Sequence, residues 1–129
     1  MGTWKSKNGH KYLLQYHIIF VCKYRKKLLA SKQISDDIKQ LSYEICQKHH
    51  VIIRYMETDK DHIHYMIETE PTMSVSKIIN LMKSYTTYHI WERYPNYLGK
   101  YFWKERTFWT DGYSACSVEM FQKKCCGDI

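Results

Sequence analysis

The stretch VIIRYMETDKDHIHYMIE, residues Val51–Glu68, decides the fold class of this chain. Val51–Glu57 and His62–Glu68 are both rich in β-branched and aromatic residues, and the polar tetrapeptide Thr58–Asp61 separates them. Two such runs joined by a short turn are typical of an antiparallel β-hairpin. We therefore take this predicted hairpin as the centre of the fold and place the other elements around it.

The second strand of the hairpin alternates between two kinds of side chain. Alternate residues of a strand share one face of the sheet. The apolar set should pack against helices and consists of Ile63, Tyr65 and Ile67. The other set should lie on the open face and consists of His62, His64, Met66 and Glu68. The sequence therefore predicts two imidazoles side by side on the open face.

A strand and a helix are predicted upstream of the hairpin. Tyr12–Cys22 is a run of β-branched and aromatic residues and indicates a buried strand. Ser35 precedes two aspartates, which predicts a helix start with a hydroxyl cap and acids at the positive end of the dipole. Lys48 and two histidines after it should close this helix at its negative end.

A helix and a strand are predicted downstream. Ser74 opens a long helix with an apolar face that can run to about Tyr94, before Pro95 stops it. Residues 96–111 look irregular, and Gly112–Val118 is a plausible fourth strand. The order βαββαβ predicts an α+β, ferredoxin-like fold: an antiparallel sheet with both helices on one face.

Length and charge bound the classes of function. The 129 residues favour a single domain spanning 1–129, and the net charge of +7 with a pI near 9.1 favours a polyanionic partner such as nucleic acid. No apolar run approaches the roughly 18 residues of a membrane span, and the N-terminus lacks the apolar core of a signal peptide. We expect a cytoplasmic protein with no membrane partner.

The paired histidines are candidate metal ligands. Histidines two apart on a strand are more often exposed polar residues than a metal site, and a zinc site would require further ligands of defined type. His49, His50, Glu57 and Glu68 are candidates only by proximity. A weakly held Mg²⁺ or Mn²⁺ that bridges His62 and His64 to a phosphate is the better interpretation, because oxygen donors dominate such sites.

Two clusters of basic and aromatic residues are candidate DNA contacts. The first follows the first strand and consists of Lys23, Tyr24, Arg25, Lys26 and Lys27. It could pair with several phosphates, or it could be a solvated turn. The second, Lys100–Arg106, interleaves rings and cations, which suits base stacking, although its rings could equally cover the core. Lys77 and Lys83 are expected on the exposed face of the second helix.

Three segments carry a resemblance to a known family. METDKDHIHYMIE, the earlier HKYLLQYHIIFVCKYRKKLL and the later FWTDGYSACSV resemble the single-tyrosine HUH transposases of the smallest insertion elements. The resemblance implies that the protein binds single-stranded DNA hairpins as a homodimer and that His62 and His64 help bind Mg²⁺ or Mn²⁺. It also implies that a tyrosine attacks the phosphodiester and forms a 5′-phosphotyrosine.

The chain departs from this family near its end. The family's nucleophile lies on a helix after the fourth strand, in a segment that also supplies a glutamine ligand. Here the residues after Val118 read EMFQKKCCGDI, and no tyrosine follows Tyr113. The role of that glutamine is not carried over to Gln122. The catalytic residue is therefore unknown, and we expect a truncated or frame-shifted copy without the usual catalytic helix.

Two other functions fit parts of the pattern. Ferredoxin-like sheets also form non-enzymatic modules that bind single-stranded nucleic acid, but the aromatic signature of RNA-recognition sheets is absent from this sequence. A hydrolase that uses metal-bound water would need a carboxylate near the histidines, and Glu68 is the candidate on the same strand face. Binding without metal would favour the first function, and cleavage without a protein adduct would favour the second.

Overall fold

The computed structural model describes residues 13–118 and contains four strands and three helices in that range. Short 3-10 turns follow the first strand at Lys23–Arg25 and Leu28–Ala30. In chain order the elements are β1 Leu14–Val21, α1 Lys32–Lys48, β2 Ile52–Thr58, β3 His62–Thr69, α2 Val75–Arg93, α3 Pro95–Gly99 and β4 Ser114–Val118.

The four strands form one antiparallel sheet in the order β2-β3-β1-β4. The hairpin β2–β3 is confirmed, and β3 also pairs with β1 along its whole length, from Leu14 opposite Thr69 to Val21 opposite His62. β1 and β3 are thus the central strands, and β2 and β4 are the edges. The α+β, ferredoxin-like arrangement predicted from the sequence is confirmed.

The two long helices, α1 and α2, lie on the same face of the sheet. The hydroxyl groups of Ser42 on α1 and Tyr65 on β3 are 2.7 Å apart. The ammonium of Lys83 on α2 lies 5.4 Å from the ring centroid of Phe20 on β1. The alternation predicted for β3 holds, because Ile63, Tyr65 and Ile67 have no exposed surface. No helix among residues 13–118 covers the opposite face, which we call the open face.

The start of α1 differs from the prediction. The helix begins at Lys32, and its cap is Ser31, whose Oγ accepts a hydrogen bond from the Ile34 N–H at 3.2 Å. Ser35 was wrong as a cap. It lies buried in the first turn, with its hydroxyl 2.8 Å from that of Thr58 on β2. An earlier start brings Ile34 into the core as well as Ile38, and this added burial favours the longer helix.

The predicted start of α2 is confirmed, since the Ser74 hydroxyl accepts a hydrogen bond from the Lys77 N–H at 3.2 Å. The helix ends at Arg93, and Pro95 then opens the short helix α3 at its first position, so residues 96–111 are not wholly irregular. Neither α2 nor any other helix within residues 13–118 is long and apolar enough to cross a membrane.

Candidate metal centre and nucleic-acid interface

His62 and His64 lie on the open face of β3, as predicted, and both are half-buried. Across the strands, Val21 of β1 stands opposite His62, while Ile19 of β1 and Glu57 of β2 flank His64. The pair therefore sits toward one end of the two central strands, beside the turn that joins β2 to β3. Both rings are accessible from the side of the sheet that carries no helix among the described residues.

Asp61 fixes the ring of His62. Its Oδ1 lies 3.1 Å from His62 Nδ1, and its Oδ2 lies 3.3 Å from Arg25 Nε. The hydrogen bond from His62 and, to a smaller extent, the charge of Arg25 lower the pKa of the Asp61 carboxyl. A carboxylate that accepts the Nδ1 proton leaves the Nε2 lone pair of the imidazole for a cation. The chain Arg25–Asp61–His62 thus prepares one nitrogen for coordination.

His64 has a histidine neighbour that sequence analysis missed. His17 Nδ1 of β1 lies 3.0 Å from His64 Nε2, so one ring donates to the other. The ring of Tyr55 on β2 meets His64 edge-on, with centroids 5.5 Å apart. Alternation along β1 places His17 on the open face, but its approach to His64 depends on the register between β1 and β3. That register is set by tertiary pairing and is not evident from the local pattern.

The other candidate ligands named from the sequence lie elsewhere, with one exception. Glu68 is buried at the far end of β3 and is held by Arg54 at 2.9 Å and by Gln15. The hydrogen bond from Arg54 lowers the pKa of Glu68. His49 and His50 follow the C-terminus of α1, near the start of β2, which pairs with that same far end. The exception is Glu57, which is exposed and pairs with His64 across the two strands.

The donor set suits an open site rather than a closed zinc centre. Within residues 13–118 no group of three His, Cys, Asp or Glu side chains gathers closely enough to hold a metal ion. Two imidazoles on an accessible face leave most coordination positions to water and to a substrate phosphate. That arrangement fits Mg²⁺ or Mn²⁺, which keep several oxygen ligands from outside the protein.

The basic loop Lys23–Lys27 contacts Asp61, the residue before His62. Arg25 reaches Asp61, and the Cys22 N–H, just before the loop, donates to the Asp61 carbonyl at 2.9 Å. Tyr24 and Arg25 both adopt positive φ, 58° and 54°, which is unfavourable for residues with a side chain. The structure thus links the predicted phosphate-binding loop through Asp61 to one predicted metal ligand, His62, which local sequence could not establish.

Arg106 lines a groove beside α2. Its guanidinium stacks over Trp91 at 5.2 Å from the ring centroid and lies 4.0 Å from Glu92. The groove, of about 520 Å³, runs between α2 and residues 106–113. Lys83 lines it too, and its expected free exposure was wrong: its ammonium donates to the carbonyls of Thr110 and Gly112, each at 2.8 Å. Lys83 therefore holds the segment before β4.

The second aromatic cluster divides between the two alternatives left open by the sequence. Phe102 of the cluster is buried in the core, together with Phe108 and Trp109, which follow the cluster in the chain. Tyr101 and Trp103 remain exposed, and 76% of Trp103 is accessible to solvent. The exposed rings are therefore the ones free to meet a base.

The open face of this ferredoxin-like sheet presents His62 and His64 on either side of Ile63, whose side chain is buried on the face that packs against the helices. The sequence profile of the family described as "Transposase IS200 like" matches residues 10–125. The transposase of insertion sequence element IS200 from Salmonella typhimurium is 30% identical over 118 residues, covering 92% of this chain and 76% of that protein. The chain therefore belongs to the family of IS200-like transposases.

Further comparisons agree with this assignment. The ISDra2 transposase TnpA of Deinococcus radiodurans is 25% identical over 91 residues, covering 70% of this chain and 64% of that protein. A crystal structure described as a transposase from D. radiodurans shares the fold, with a TM-score of 0.77 at 22% identity over 89% of this chain and 86% of that one. A REP-associated tyrosine transposase bound to a REP hairpin has a TM-score of 0.60 at 10% identity, over 86% and 61% of the two chains.

Proposed function

We propose that this chain binds single-stranded DNA hairpins and that His62 and His64 hold Mg²⁺ or Mn²⁺ against the DNA backbone. The observation that carries the proposal is the Arg25–Asp61–His62 chain, which joins the basic loop to the histidine pair on the open face. A protein that shares the fold has been solved bound to a REP hairpin, which supports the choice of a hairpin as ligand.

Each part of the site has a distinct task in this proposal. When bound, the metal would polarise a DNA phosphodiester and offset charge that develops on its oxygens. Asp61 keeps the His62 ring oriented. The cations of the loop Lys23–Lys27 pair with phosphates on either side of the one held at the histidines and so fix the position of the strand.

Strand cleavage needs a nucleophile that we do not assign within residues 13–118. The resemblance implies a tyrosine after the fourth strand, but the last tyrosine, Tyr113, precedes β4 and lies beneath the Lys83 ammonium at 5.8 Å. The rings of Tyr55 and His64 meet edge to face, with centroids 5.5 Å apart. We therefore propose hairpin binding for this chain and assign no residue as the nucleophile.

A gel-shift assay with a hairpin-containing single strand tests both the DNA binding and its dependence on the metal. The samples are wild type, His62→Ala/His64→Ala and, as a matched histidine control, His49→Ala, each with Mn²⁺ and with EDTA. We expect Mn²⁺-dependent binding by wild type and the control, and a loss in the double variant. A duplex of matched length is run beside the single strand, and equal binding of the two would contradict the proposal. Denaturing each sample shows whether a covalent protein–DNA adduct forms, and mapping such an adduct to a tyrosine would identify the nucleophile.

The active unit in this proposal is a homodimer. This part of the proposal comes from the resemblance alone. Light scattering should give twice the mass of one chain. A monomer at micromolar concentration that still binds the hairpin would contradict this part.

A further inference from the structure

The basic loop and the second aromatic cluster, far apart in sequence, enclose one cavity. Its volume is about 400 Å³, within the range of small-molecule sites. Phe102, only 5% exposed, is the buried member of its lining, and the ring of Tyr24 lies 6.3 Å from it between centroids. The complete lining is Tyr24, Tyr101, Phe102, Trp103, Lys104, Glu105 and Thr107. We call this cavity the aromatic pocket.

The rings at the mouth of the aromatic pocket do not serve the core. Tyr24 is 68% exposed and Trp103 is 76% exposed. Tyr24 also has a left-handed backbone, which costs of the order of 1 kcal/mol or more for a residue that is not glycine. Its neighbours enforce this conformation, since Lys23 N–H donates to the Phe108 carbonyl at 2.8 Å and Arg25 N–H to the Cys22 carbonyl at 2.8 Å. Strain that presents an exposed ring points to a ligand.

The charge around the aromatic pocket selects the class of ligand. The Lys26 ammonium lies 5.8 Å from the ring centroid of Tyr101, and the Lys104 ammonium lies 5.1 Å from that of Trp103. Lys23 stands in the same relation to Tyr24 at 5.7 Å. Flat rings bordered by cations suit a flat base attached to a phosphate, because the base stacks while the phosphate meets an ammonium. An apolar peptide would have no use for the three lysines.

The basic loop connects the aromatic pocket to the candidate metal centre. Tyr24 is followed by Arg25, which contacts Asp61, and Asp61 contacts His62. We infer that the aromatic pocket binds one unpaired base of the DNA strand, from a nucleotide close to the phosphate held at the histidines. This inference rests on the proposed function and adds to it, because it gives the strand a contact through a base as well as through its backbone.

The test uses a hairpin that carries a single-stranded flank. Binding of the intact strand is compared with binding of a series of strands, each with an abasic site at a different flank position. Base stacking contributes about 1–3 kcal/mol, so Trp103→Ala should weaken binding of the intact strand by roughly 5- to 150-fold. Trp103 is exposed, so this variant should fold normally. Tyr43→Ala, an exposed tyrosine on α1, is the matched control and should bind like wild type.

At one flank position the abasic strand should bind wild type as weakly as the intact strand binds Trp103→Ala, with no further loss when both changes are combined. Equal losses for Trp103→Ala on intact and abasic strands, or no loss, would overturn the inference. Repeating the series in EDTA separates the two proposals. If binding depends on metal but no abasic site weakens it, the inference about the aromatic pocket is wrong and the metal proposal stands. If an abasic site weakens binding that does not depend on metal, the metal proposal is wrong and the aromatic pocket stands.

Discussion

At the scale of single residues, Asp61 connects the basic loop to the histidine pair. It lies between a cation, Arg25, and a candidate ligand, His62, and it accepts from both. Sequence analysis found both histidines, because alternation on a strand is enough to place them on one face. It could not find the roles of Asp61 or His17, because each role depends on a contact between segments that are distant in the chain. These contacts determine which nitrogen of each ring can meet a metal.

Asp61→Ala should weaken Mn²⁺ binding by about 10- to 100-fold, because loss of a partner that orients a ligand has effects of that size. Isothermal titration with the hairpin complex measures the affinity. Asp59→Ala is the control, since Asp59 lies in the same turn and is exposed, and its carboxylate only accepts from the Lys60 N–H. An unchanged Mn²⁺ affinity in Asp61→Ala would contradict the role given to this residue.

The ion pair between Glu68 and Arg54 should make the free energy of unfolding depend on pH. The pKa of Glu68 is lowered from the ordinary value of 4.5, chiefly by the hydrogen bond from Arg54, so its ionised form stabilises the fold above that value. This stabilisation is lost as pH falls through the lower folded-state pKa. Glu68→Gln should reduce the free energy of unfolding by about 1 kcal/mol at pH 7, with a smaller difference in strong acid. Urea unfolding at several pH values checks this, and a constant difference would contradict it.

At the scale of elements, periodicity predicted the strands and the start of α2 but not the start of α1. Ser31 and Ser35 are both residues that can cap a helix, and the two aspartates after Ser35 favoured the later one. The burial of Ile34 and the contact of Ser35 with Thr58 select the earlier start. Tertiary packing decided between two local signals of similar strength.

The cap gives a direct prediction. Ser31→Ala should lower the free energy of unfolding by about 1 kcal/mol, because the Ile34 N–H loses its acceptor. Ser76→Ala on the exposed surface of α2 should be close to neutral, since alanine is at least as good a helix former. Chemical denaturation of both variants measures the difference. A loss in Ser76→Ala as large as that in Ser31→Ala would contradict the assignment of the cap.

At the scale of the whole molecule, the fold connects the basic loop to the exposed aromatic rings through Tyr24 and to the histidine pair through Arg25 and Asp61. The sequence identified each cluster, and the resemblance to HUH transposases linked the loop and the histidines to DNA. It could not show that Tyr24 and Trp103 line one cavity, because residues 24 and 103 meet only after the sheet has formed. The proposed DNA-binding surface is therefore a property of the tertiary structure.

Electrostatic attraction by this surface should depend on salt. For a single strand, each phosphate contact contributes about 0.7 to the slope of log affinity against log salt concentration. Lys26→Ala/Lys27→Ala should therefore reduce the slope by about 1.4 if each lysine pairs with one phosphate. Lys48→Ala, at the end of α1, should leave the slope unchanged. Fluorescence anisotropy at several salt concentrations measures it, and equal slopes for all three proteins would remove the loop from the interface.

The central claim is that His62 and His64 hold a divalent metal against DNA. Titration of Mn²⁺ into the protein–hairpin complex, followed by electron paramagnetic resonance, tests it most directly. The account predicts one site in wild type that is absent in His62→Ala/His64→Ala and retained in His49→Ala. Mn²⁺ binding of equal stoichiometry and affinity in the double variant would contradict it, because the metal would then be held by other groups.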